Sequence, residues 1–253
     1  MFMRIVHLKL DPNRLLELRQ MYPAVIIAEL SHTPGCLYAG LLQSVENPDI
    51  GISLTLWNSA ADAESYEKTG AYRKLLDQSR PYLAETPEWS VHMSDDMQLE
   101  YSPVEREPDI TRYESPGAAD PSALSPPGKE RLFLRILSLH VRRGMLEEFT
   151  SLYRGEIVPG LRRIPGFRSA FLTGRTNDSN ELISVTIWNS RTDAEQYEKN
   201  GEFASMNERI GHTLEDSTRW KTGEQRVKRA LGSDDMTASG YALIVGQAFG
   251  AAR

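Results

Sequence analysis

The stretch Ile52-Ser-Leu-Thr-Leu-Trp57-Asn-Ser-Ala-Ala-Asp-Ala-Glu-Ser-Tyr66-Glu-Lys68 returns as Ile183-Ser-Val-Thr-Ile-Trp188-Asn-Ser-Arg-Thr-Asp-Ala-Glu-Gln-Tyr197-Glu-Lys199. The shift of 131 positions holds without a gap from Arg4/Arg135 to Trp89/Trp220, and roughly 27 of about 87 aligned pairs are identical. A unit this long is no solenoid repeat, so the chain reads as two copies of one small domain. Any fold proposed for one half must therefore serve the other.

Within each copy the patterning gives a strand, a helix, two strands, a helix and a last strand. Residues 3 to 10 and 134 to 141 alternate as half-buried strands, and Asp11-Pro12 supplies a helix start. Leu15, Leu18, Tyr22 and Ile26, matched by Leu146, Phe149, Tyr153 and Ile157, recur at helical spacing. Pro23 and Pro159 predict a kink at different places in the two copies. Pro34-Gly35 and Pro165-Gly166 mark a turn before strands at about 37 to 44 and 168 to 175. The third strand is the repeated stretch itself; Ser59 and Ser190, each three residues before an Asp, predict helix caps. Helices resume from about 72 to 83 and 203 to 214, and Trp89 and Trp220 open the expected last strands.

This order is the split βαβ, or ferredoxin-like, motif (βαββαβ) in an α+β chain with antiparallel sheets. Each sheet carries helices on one face and needs cover on the other, so the two sheets are expected to close together as a barrel. The expected units are residues 1–99 and 131–231. Between them a Pro-rich linker spans 100–130, and an arm spans 232–253. The linker could keep the pairing within one chain or reach over a partner, and a homodimer stays open.

The net charge of -6 offers no basic patch for nucleic acid. One cysteine, Cys36, precludes an intramolecular disulfide, and no apolar run approaches a membrane span. A cytoplasmic protein is expected.

The order of elements, the Pro-Gly turn and the Trp-x-Ser-x-x-Asp-Ala-x-x-Tyr run resemble the antibiotic biosynthesis monooxygenase family of dimeric α+β barrels, here in tandem. The resemblance implies a small aromatic or quinol-type compound oxidised by oxygen without a cofactor or metal. In such chemistry the deprotonated substrate supplies the electrons. It needs a proton acceptor, a dry pocket and an aromatic wall. The expected proton acceptors are His7 and His140, and the expected walls of the barrel cavity are Trp57, Trp188, Ser138, Lys9, Thr55 and Thr186. In this reading Val6, Leu8 and Leu54 face the helices, whereas His7, Lys9, Ser53, Thr55 and Trp57 face the cavity. Arg4 and Arg135 are expected in structural ion pairs on the helix side, and Asp62 and Asp193 in turn or cap chemistry. Two other readings stand beside it: a non-catalytic binding or assembly module, and a haem-binding protein using His212.

Overall fold

The structure is a computed structural model; it describes residues 1–84, 89–93, 99–103, 110–114, 124, 132–175, 178–215 and 238–249. The first copy contains β1 (Phe2–Lys9), α1 (Leu15–Met21), a π-helical segment (Tyr22–Ile27), α2 (Ala28–Ser31), β2 (Cys36–Ser44), β3 (Ile50–Trp57), α3 (Ala60–Lys68) and α4 (Ala71–Ser79). Next come β4 (Trp89–Met93), β5 (Leu99–Pro103) and β6 (Ile110–Glu114). The second copy repeats the pattern with β7 (Phe133–His140), α5 (Leu146–Leu152), a π-helical segment (Tyr153–Ile157), α6 (Val158–Leu161), β8 (Phe167–Arg175), β9 (Asp178–Trp188), α7 (Arg191–Lys199) and α8 (Glu202–Ile210). Strand β10 (Ala238–Ala248) closes the described chain.

The local signals behave as their chemistry dictates. Ser59 and Ser190 cap α3 and α7, each accepting from the backbone N–H of Asp62 or Asp193 at 3.2 Å. Gly35 and Gly166 sit at φ +79° and +80°, and a Cβ at Gly35 would lie 2.4 Å from Cγ of Asp62. The repeated Pro-Gly and Asp are thus one turn packed against one helix start. In the first copy the helix breaks at Pro23 as predicted, whereas in the second it breaks ahead of Pro159, which stands in the first turn of α6. Both copies turn π-helical at equivalent tyrosines, Tyr22 and Tyr153, although only the first has proline there. Tyr22 and Tyr153 bond Ser53 and Ser184 at 2.8 and 2.9 Å, so side-chain anchoring to β3 and β9 is the feature common to both breaks.

The strands close a barrel in the order β1-β3-β2-β10-β7-β9-β8-β6. Each half contributes three strands in the order predicted for a ferredoxin-like sheet, but the fourth strand is not the one at Trp89. Among the described residues that strand, β4, pairs with β5 in a separate ribbon, and Trp220 lies outside them. The fourth positions belong to β6, between β1 and β8, and to β10, between β7 and β2. Each lies in a stretch read from sequence as linker or arm, and each joins one repeat's sheet to the other's. Arg112 stands opposite Arg4 and Gly240 opposite Arg135, a shift of 128 positions rather than 131, so the alignment that exposed the repeat passes over this pair.

Three apolar clusters divide the interior. Two combine strand and helix residues: Phe2, Leu18, Tyr22, Trp57 and Tyr66 in the first copy, Phe149, Tyr153, Trp188 and Tyr197 in the second. The other draws Met3, Ile5, Leu54, Leu56, Leu134, Val185, Ile187 and Tyr241 from the strands of both copies and takes no residue from α1 to α8. This is the barrel's inside, and Leu124, 1% exposed, packs into it. Among the described residues the side chains that face the expected hollow are apolar and packed together.

Candidate functional site

The register of β1 on β3 decides which side chains can meet. Phe2 pairs with Trp57, Arg4 with Thr55 and Val6 with Ser53, and directly paired residues project to the same face. The helix side therefore takes the even residues of β1 with the odd residues of β3. The sequence reading joined even to even, and a slip of one residue turns a whole strand over. Trp57, Trp188, Thr55 and Thr186 are consequently not barrel-lining; they lie under the helices. Trp57 and Trp188 are 0% exposed, and their indole N–H groups donate to Thr55 and Thr186 at 2.9 and 3.0 Å.

His7, Lys9, Ser138 and His140 do follow the barrel-inward phase, but at the strand ends. Since β1 and β7 run parallel across an antiparallel ring, their C-terminal ends share one mouth. There His7 and Lys9 are exposed, and Ser138 and His140 half-buried. They rim the barrel and do not join the tryptophans. His212 stands on the outer surface, its Nε2 2.9 Å from Glu148.

The structure instead gathers polar groups beneath the first repeat's helices. A pocket of about 50 Å³ is lined by Arg4, Tyr22, Ser53, Thr55, Tyr66, Tyr72 and Ser79 within a wall of leucine, valine and isoleucine. Of the residues expected to face the cavity, Ser53 and Thr55 are in this lining. The strand β1 positions Arg4, β3 brings Ser53 and Thr55, the π-helical segment Tyr22, and α3 and α4 the other tyrosines. Arg4 is 2% exposed and donates from Nε to Glu67 at 2.7 Å; Glu67 also accepts from Arg112 at 2.8 Å. Burial works against ionisation of Glu67, but the bond from Arg112 and the nearness of Arg4 outweigh it and hold the carboxyl below its usual range. The Arg4 guanidinium carbon lies 4.1 Å from the centre of the Tyr72 ring and 5.9 Å from that of Tyr66. Desolvation pushes the Tyr22 and Tyr66 phenols well above their ordinary value, so both stay protonated.

The second repeat keeps the polar groups at Arg135, Tyr153, Ser184, Thr186 and Tyr197 but sets larger apolar side chains around them. Leu137, Phe149 and Ile210 replace Val6, Leu18 and Ser79, and all three belong to its helix-side core. Phe203 replaces Tyr72. The enlarged side chains follow from the sequence alignment, yet only knowledge of which strand face meets the helices makes them neighbours.

Among the described residues no group of three His, Cys, Asp or Glu could hold a metal ion, and no helix is long and apolar enough to cross a membrane.

The sequence pattern of the family described as antibiotic biosynthesis monooxygenase matches residues 1–78 and 132–209. No curated protein sequence matches the chain. Solved structures do. A candidate monooxygenase from Fusobacterium nucleatum superposes with a TM-score of 0.63 at 6% identity, over 98% of this chain and 94% of that one. One from Lactobacillus acidophilus gives 0.57 at 8%, over 99% and 96%. An anthrone oxidase-like protein gives 0.56 at 12%, over 98% and 93%. At such identities the likeness concerns the fold alone, and it extends over the whole tandem arrangement.

Proposed function

Because the chain belongs to the antibiotic biosynthesis monooxygenase family, we propose that its first repeat binds a small aromatic or quinol-type compound beneath the helices and oxidises it with molecular oxygen. The supporting observation is the pocket itself: Arg4, the Tyr22–Ser53 pair and two tyrosine rings border a recess, whereas the second repeat keeps Arg135, the Tyr153–Ser184 pair and Tyr197 but crowds them with the larger Leu137, Phe149 and Ile210. Convergent polar groups in an apolar recess are what a ligand site requires.

The chemistry is electron-balanced without a cofactor. A phenol-activated methylene loses a proton to solvent before the pocket closes over it, and the carbanion passes its electrons to oxygen. One oxygen atom remains as a carbonyl and the other leaves as water. The walls exclude bulk water, and the tyrosine hydroxyls donate hydrogen bonds to the substrate's oxygens. About 50 Å³ is less than the roughly 150 Å³ in which an apolar cavity admits benzene, so a ring enters only as α4 and the Tyr22–Ile27 segment move outward.

Incubation of metal-free protein with an anthrone or a quinol under oxygen tests the reading. Saturable product formation, lost when α4 is locked to β1 by an engineered crosslink, is the expected result. Oxidation at the rate of the protein-free solution would overturn it. A second reading, binding without turnover, is favoured by a lining that contains neither carboxylate nor imidazole; it predicts saturable binding with no product.

A further inference from the structure

We propose that Arg4 is the anion-binding residue of this pocket and that the ligand is held as its phenolate or enolate, with the charged oxygen on Arg4 Nη2. The inference rests on the pocket reading above and names the chemistry of what enters it.

Three observations converge. Arg4 Nη2 is buried and has no hydrogen-bond partner among the described residues, although Nε of the same guanidinium is bonded to Glu67. A buried donor without an acceptor calls for a reason; Nη2 of Arg135 is buried in the same way beside three carboxylates, but Arg4 borders a recess of tyrosines and leucines in which a ligand oxygen supplies one. The guanidinium borders the pocket, fixed over Tyr72 and tied to a carboxylate that Arg112 also holds. Its direction is therefore set before any ligand arrives, and little ordering remains for binding to accomplish.

The pocket also lacks a base. Its titratable side chains are Arg4 and the phenols of Tyr22, Tyr66 and Tyr72; Glu67, behind Arg4, is engaged by two guanidinium groups. A ligand hydroxyl gives its proton to solvent as it enters, and the anion remains because a guanidinium faces it in a medium of low dielectric constant. Positive charge from Arg4 and Arg112 against one carboxylate leaves room for one more negative charge.

The probe is 4-nitrophenol, whose neutral and ionised forms differ in absorbance, with 4-nitroanisole as a partner of similar shape that cannot ionise. The wild-type protein should bind the phenol with its apparent pKa lowered by about one unit and prefer it to the anisole by about tenfold. Arg4→Lys, which keeps a cation but gives up the fork of donors, should bind the probe with the shift lost. Should Arg4→Lys fail to fold by circular dichroism, the phenol–anisole comparison on wild-type protein decides alone. Binding of both probes with equal affinity and no change in ionisation would overturn the role of Arg4 and leave the pocket standing. No binding of either probe would overturn the pocket reading itself, and this inference with it.

Discussion

Gly240 stands opposite Arg135 on β10 where Arg112 stands opposite Arg4 on β6. The pseudo-symmetric halves thus differ at the strand that joins them. On one side a second guanidinium reaches Glu67; on the other a space of about 80 Å³ lies among Gly240, Arg135, Glu198 and Glu46. A Cβ at Gly240 would come within 2.6 Å of the Phe133 ring and 3.0 Å of a Val45 methyl, so either side chain would have to shift. Gly240→Ala should lower stability by about 1–3 kcal/mol, the usual cost of overpacking, as read by the urea midpoint at unchanged slope.

Thr55→Val removes the acceptor of a fully buried indole N–H while nearly preserving shape. The expected loss is about 1–3 kcal/mol. In a double-mutant cycle the loss should largely vanish in a Trp57→Phe background, where no N–H remains to satisfy. Equal losses in both backgrounds would mean that the bond contributes nothing.

The carboxyl of Glu67 is held below its ordinary value of 4.5. A group whose pKa is lower when folded contributes stability that is complete above the unfolded value and is lost as pH falls through the folded one. Wild-type protein should therefore lose stability steadily on acidification below about pH 5. Glu67→Gln should be less stable near neutrality and flatter through that acid range; parallel curves would exclude the linkage.

Leu18→Phe copies into the first repeat the residue that the second repeat already carries as Phe149. It should abolish ligand binding with retained secondary structure and a change in stability of roughly 1–3 kcal/mol in either direction. Undiminished affinity would place the ligand elsewhere.

Cys36 is buried beside β3, and desolvation pushes its thiol up to about 12. The native protein should resist thiol-specific reagents at neutral pH, with labelling that tracks unfolding by denaturant. Rapid labelling of the folded chain would contradict the packing of β2.

Much of this arrangement was legible in the residues. The duplicated Trp-Asn-Ser stretch implied two equivalent folds, and the Ser-x-x-Asp spacing produced the caps on α3 and α7. Arg4 pairs with Glu67, and Arg135 with Glu198, from the helix side, as anticipated. Where the reading failed, it failed at pairing. Strand alternation tells which residues share a face within β1 or within β3, but not which face of one matches which face of the other. His7 and Trp57 were joined on that ground and are in fact on opposite faces. The fourth strands escaped because β6 and β10 share little sequence with each other and lie off the 131-residue alignment.

The amino-acid order alone determined the repeat, the first three strands and the helices of each half, and the family, since periodicity, capping and turn chemistry act over a few neighbouring residues. Only the tertiary structure decided that the barrel interior is lined by apolar side chains, that the tryptophans lie under helices and that one half keeps a pocket at its polar groups while larger apolar residues crowd those of its twin. Those outcomes depend on the register between strands far apart in the chain, and a displacement of a single residue there exchanges core for site.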